Sequence, residues 1–340
     1  MLAVVHRTDK KIATLMARPP RLPHQYCDAD PPLDISDEDL FLDSPAINSV
    51  LASLDGQGWH REARLMPATV TRMRHFLSIL REQVLELSLG SKFASDYGDR
   101  LLQTCHLYQG VWNQIPFRFH YDPTCWTSCD VMESLARILI RFDYQFRVLH
   151  LQRIRCKENN AAIGDLMDTS LQVLSMIMDL ARNYQPYEVQ RPFPCIYLSY
   201  GIPAAGILVT ELYTYARANR PLPASTPRSE VIRLLSVLIE WVRSTEMLPL
   251  TTAVEASELT KVISQLLDDT LNHQHGISVE HAAENVAAPV IRDPGDSLPQ
   301  GFGDGFHLPS ETLGVGLAGE EFLSWLNELD LDMVSGERFI

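Results

Sequence analysis

The chain has no run of lysine and arginine. Its 340 residues hold 29 basic against 43 acidic side chains, a formal net charge of −14. Nucleic-acid phosphates are held by basic neutralisation, so no direct nucleic-acid contact is expected from this chain. Long apolar runs are also missing. The longest, Ile202 to Thr210, contains Pro203 and is too short to span a bilayer, so no membrane association is expected. No signal peptide is read at the start, because His6 and Arg7 end the apolar Met1–Val5 at once. The cysteines (Cys27, Cys105, Cys125, Cys129, Cys156 and Cys195) are scattered through helical sequence, too far apart for a compact zinc cluster, and read as reduced, partly buried thiols. No G-x-S-x-G or H-E-x-x-H motif, alternating strand series or fixed-period repeat occurs.

What remains is helical patterning. With 46% hydrophobic residues the chain can bury a substantial core. Pro67 opens a helix through Val70, Met73, Leu77, Leu80, Val84 and Leu87, and Gly90 suits its end. Further helices are predicted over Asp96–Gln109, Ser128–Cys156, Asp165–Arg182, from Pro227 through Val242, and from the capping-box residues Thr252–Glu255 through Leu271. On the longest, Val131, Leu135, Ile138, Phe142, Gln145, Leu149 and Leu151 fall on or near one broad apolar face. Asn113–Pro123 (WNQIPFRFHYDP) reads as a packed connector. Ile196–Tyr215 carries Gly201, Pro203, Ala204, Ala205 and Gly206, small residues that allow close helix approach. The fold class is all-α: a large irregular helical bundle over residues 1–272, a flexible Gly/Pro/Asp-rich linker over 273–319, and a short acidic amphipathic tail over 320–340.

Few residues suggest chemistry. Gly314–Gly319 spells G-x-G-x-x-G, but Leu308–Thr312 is no buried strand and no βαβ unit fits after it, so it reads as linker. Cys125 and Cys129 with His120 lack a second ligand pair, so core thiols are expected. Before Asp130 and a helix start, Cys129 could have a lowered pKa. His273 and His275 suit a helix C-terminus. No catalytic, cofactor, metal or DNA-binding residue is assigned. In the tail, Phe322, Trp325, Leu326 and Leu329 recur at helical spacing among Glu320, Glu321, Glu328, Asp330 and Asp332. Such a segment suits folding into a partner's groove, or docking back on its own core.

The segment Lys10–Leu40 is the most distinctive. Helical spacing (Ile12, Leu15, Met16) runs to Ala17; Pro19 and Pro20 forbid continuation; Pro31 and Pro32 keep the path extended; Asp34–Glu38 reads as a capped helix start. Ala17-Arg18-Pro19-Pro20 and Pro32-Leu33-Asp34-Ile35-Ser36-Asp37 resemble the "GRPP…PLDLSD" segment in the middle homology region of fungal zinc-cluster transcription factors, with Ala17 where the family has glycine. Phe146–Ile154 resembles that family's "L-x-L-x-Y-x-x-x-x-I" helix, and Ser199–Gly206 its "sYG-x-PAA" helix. Phe322–Leu326 looks like its short acidic tail motif.

The resemblance implies an all-helical regulatory domain that dimerises, binds effectors or restrains activity, with a C-terminal activation segment and a nuclear location. Its partners would be a transcriptional coactivator or a homologous regulator, its genes metabolic, including secondary metabolism. The zinc cluster is absent, so zinc is implied only if a cluster precedes this chain, which starts roughly midway through the usual region. Two alternatives stand beside it. One is a repurposed small-molecule binder or enzyme with a pocket near Trp112, Phe117, Phe119, Tyr121 and Trp126, aromatics that more simply serve as core. The other is a dimerising inhibitor of full-length relatives.

Overall fold

The computed structural model describes residues 2–27, 30–62, 64–158, 162–183, 196–244 and 257–272. Among them the only pairing outside helices and turns is an isolated bridge between Leu54 and His60, so the chain is all-α as expected. The helices are α1 (Leu2–Leu15), α2 (Ser44–Ala52), α3 (Pro67–Leu89), α4 (Tyr97–Gln114), α5 (Cys125–Ser128), α6 (Val131–Glu158), α7 (Ile163–Asn183), α8 (Ile202–Arg217), α9 (Arg228–Ser244) and α10 (257–272). A π-helical turn, Tyr197–Gly201, leads directly into α8. No described helix is long and apolar enough to cross a membrane. The Thr252–Glu255 cap, the 273–319 linker and the 320–340 tail lie outside the described residues.

The core has two parts, and α6 is common to both. Leu135, Ile138, Phe142, Phe146 and Leu149 face a cluster built with α7, α8, α9 and α10. Ile140 and Leu151, with Tyr144 and Val148 beside them, face a second cluster built with α3, α4, Trp59 and Phe119. The single broad face predicted from sequence is therefore two opposed faces. Leu151 lies three turns beyond Ile140 and shares its side rather than that of Leu149. Each fully buried Leu, Ile or Phe contributes roughly 1.5–3 kcal/mol, which outweighs the exposed ion pairs nearby at under about 1 kcal/mol each.

Within the first cluster the ring of Tyr200 stacks on Phe142 at 5.2 Å and meets Phe146 edge-on at 5.3 Å. The chain can pass this closely because residue 201 is glycine. A Cβ there would come within 3.0 Å of Ile177 Cδ1 and 3.2 Å of the Tyr197 ring.

The helical spacing read up to Ala17 belongs to the end of α1, which begins at Leu2; its contact face is polar and escapes an apolar periodicity test. It lies on α3 through Lys10, 0% exposed, whose ammonium donates to the Leu22 carbonyl and sits 3.2 Å from Glu82 and 3.4 Å from Asp9. Glu82 also accepts the His24 N–H at 2.8 Å. His6 Nδ1 lies 3.2 Å from Ser78 Oγ, and the ring is 5.9 Å from His24 and 5.5 Å from His75. Burial is tolerable only because the charges are paired and hydrogen-bonded.

The stop of α1 precedes the prolines. Ala17 adopts φ 45°, Arg18 N–H donates to Ala13 O at 3.0 Å and Ala17 N–H to Thr14 O at 3.2 Å, a Schellman closure with alanine where glycine is favoured. The expected helix start at Asp34–Glu38 is corrected. Asp34 is fully buried, accepting from Thr69 Oγ1 and from His60 N–H at 3.0 Å, so its carboxylate is unavailable as a cap. Ser36 and Asp39 cap only the 3-10 turn Asp39–Phe41, and the helix waits for Asp43, whose carboxylate accepts from Ala46 N–H. Beside this turn Arg72 donates to the carbonyls of Pro31, Pro32 and Gln57, and its guanidinium lies 4.8 Å over Trp59. Gly58, at φ 80°, passes between Leu33 and Arg72 where a side chain would crowd both.

Ala17→Gly is expected to raise the unfolding free energy by about 1 kcal/mol in urea denaturation, since a non-glycine left-handed residue costs on that order. The His6 ring is held neutral: burial first, then Lys10, His75 and His24, lower its pKa from 6.5 to about 4, and burial lowers that of His75 too. Below pH 6.5 the unfolded chain takes up protons that the fold refuses. Stability is complete above that pH and falls progressively toward about pH 4. Urea unfolding at neutral pH and at about pH 5 should show the loss, and His6→Gln should flatten it. An unchanged pH slope in the variant would refute this account.

Candidate functional site

The connector after α4 is held from two sides. Phe119 is buried against Trp59 with ring centroids 5.7 Å apart, and Arg118 donates to His60 O at 2.6 Å. From α6, Arg137 donates to Arg118 O at 2.6 Å and His120 O at 3.4 Å while its other nitrogens bind Glu133. His120 Nε2 lies 2.9 Å from Ile115 O. This pinning sets Tyr121 at the mouth of a cleft of about 400 Å³. Trp126 of α5 donates its indole N–H to Tyr121 Oη at 2.9 Å, and burial pushes the phenol up to about 12, so it stays protonated at neutral pH.

The floor of the cleft comes from α6 and α7. Arg141 and Gln145, one turn apart, meet Leu171, Ser175 and Asp179, also at successive i, i+4 positions, with Gln172 and Met176 alongside. Glu230, at the start of α9, closes one side. Gln145, 4% exposed, donates its amide to Gln172 Oε1 at 2.7 Å, and Gln172 donates to Asp168 at 2.8 Å, so one amide orients the next.

The charges are uneven. Arg141 lies over Trp112 at 4.8 Å and Tyr144 at 5.5 Å, and Trp112 stacks on Tyr144 at 4.2 Å. Among the described residues no carboxylate reaches it, and burial lowers its pKa. Asp179 makes no ion pair within 4 Å among the described residues. Burial raises its pKa, while Arg182 pulls it back toward the charged form. Glu230 is 3.8 Å from Arg233. A guanidinium and a carboxylate thus share one cleft without neutralising each other. Such an arrangement can orient a polar small molecule; no nucleophile–base pair is assembled around it.

The aromatic residues proposed from sequence separate. Phe119 is core, Phe117 is 84% exposed, Trp112 lies under Arg141, and Tyr121 lines the cleft with Trp126 donating to its hydroxyl. The polar floor was missed, although Gln145, a polar residue inside an apolar stripe, is its signal in the sequence. The tail residues Phe322, Trp325, Leu326 and Leu329, with Cys195, His273 and His275, lie outside the described residues. Among the described residues no group of three or more His, Cys, Asp or Glu could hold a metal ion. The lowered pKa expected for Cys129 is corrected: partial burial raises it, and Asp130 caps α6 through Glu133 N–H at 2.9 Å. Compared with family models, curated proteins and solved structures, the chain matches none of them.

The two arginines one turn apart on α6 should behave differently in urea unfolding. Arg137→Met leaves Glu133 and two carbonyls unpaired and is expected to cost about 3 kcal/mol. Arg141→Met loses only its aromatic contact and should cost less than about 1 kcal/mol. Equal losses would contradict the unpaired state of Arg141.

Proposed function

We propose that this chain is a transcription-regulator-like protein of the fungal zinc-cluster type. It acts in the nucleus on metabolic genes through contacts with a coactivator or a homologous regulator rather than through a DNA reader of its own. The carrying observation is that two of the motifs bearing the resemblance meet in the core. Phe146, which opens the α6 motif, packs edge-on against Tyr200 of the Ser199–Gly206 motif at 5.3 Å. The Ala17 and Asp34 segments also occupy demanding positions, a left-handed helix stop and a buried carboxylate. A net charge of −14 without a basic run supports action through partners.

The acidic tail is the activating element in this reading. Phe322, Trp325, Leu326 and Leu329 form its apolar face, and the surrounding carboxylates keep that face soluble and speed encounter with a basic-rimmed groove. A second element is favoured by the cleft, whose convergent polar groups suit a small-molecule effector.

Fusing the full chain to a heterologous DNA-binding domain is expected to activate a reporter, and Trp325→Ala with Leu326→Ala is expected to return it to background. A silent intact fusion that is expressed and nuclear would remove the activation claim.

A further inference from the structure

The two unneutralised charges of the cleft restrict what can fill it. Arg141 presents a guanidinium 4.8 Å over the Trp112 ring, with no acceptor among the described residues, whereas Arg72, Arg137, Arg147 and Arg155 each donate to a carbonyl or carboxylate. Asp179 faces the same cleft from α7 and does not pair with it. A neutral ligand would offer neither charge a counter-charge. A dianion would meet Asp179 and Glu230; a simple amine would meet Arg141. Only a molecule carrying both signs compensates the two together.

We infer that this cleft binds a small amphoteric ligand of the amino-acid class, its carboxylate on Arg141 and its ammonium toward Asp179. The planar fork of arginine matches a carboxylate with two parallel donors, and the Trp112 ring, 4.8 Å away, helps to hold the guanidinium in place. Gln145 and the Tyr121 hydroxyl add neutral polar contacts, and the hydrogen bonds to Gln172 and from Trp126 hold them in place. A volume of about 400 Å³ suits a ligand of this size. This inference rests on the effector reading of the cleft and is independent of the tail.

The test is calorimetry on the full chain with three probe sets: the proteinogenic L-amino acids, their des-amino carboxylic acids, and their decarboxylated amines. Each is titrated to about 10 mM, where a Kd near 1 mM is still measurable. At least one amino acid is expected to bind, with both of its truncated analogues at least about tenfold weaker. Arg141→Gln and Asp179→Asn should each weaken binding at least about tenfold. The helical circular dichroism of Arg141→Gln should stay unchanged and its urea unfolding stay cooperative, which keeps misfolding out of the result. No binding by any amino acid, equal binding by a truncated analogue, or binding indifferent to Arg141→Gln would overturn it. An active reporter fusion alongside silent calorimetry removes the ligand class and leaves the regulator reading standing. Binding alongside a silent fusion does the reverse.

Discussion

Helix α6 is buried on both sides. Most amphipathic helices have one face for the core and one for water, but α6 supplies Ile138, Phe142 and Phe146 to one cluster and Ile140 and Leu151 to another. Everything else is placed relative to it: α3 and α4 on one flank, α7 to α10 on the other, and the connector between α4 and α5 tied down by its Arg137. The two clusters therefore form one cooperative unit, because neither can lose its contacts without exposing a face of the shared helix.

The polar interior is a second layer of specification. Lys10, Glu82, His6 and Ser78 join α1 to α3, and Asp34, Thr69 and Arg72 bind the proline-rich return path to the start of α3. Such groups add less net stability than an equally well-packed apolar contact would. They do make alternative packings costly, since a slipped register would strand a buried charge.

Apolar helices were legible in the sequence, and polar contact faces were not. The periodicity of Val70 to Leu87 and the terminators Pro67 and Gly90 place α3 within a residue of its observed ends. Periodicity failed for α1, where the contacting residues are Lys10 and His6, and it merged the two faces of α6, because a helix apolar on both sides gives no clean phase. The local grammar at Asp34–Glu38 was sound as a cap, but a long-range demand for Asp34 by His60 and Thr69 overrode it. For the cleft, Tyr121 and Trp126 were noticed as aromatics. Arg141 and Asp179 come together only through the packing of α6 on α7, which no local pattern reports.

The connector also carries a mechanical consequence. Asp34 accepts from His60 N–H, His60 O accepts from Arg118, Arg118 O accepts from Arg137, and Tyr121 follows three residues after Arg118. The proline-rich segment near the N-terminus and the rim of the cleft are therefore opposite ends of one short strut. Arg118, held from both sides in this chain of hydrogen bonds, fixes where the backbone leaves toward Tyr121. The position of the cleft's edge and that of the N-terminal segment are thus set by one continuous series of side-chain to backbone hydrogen bonds.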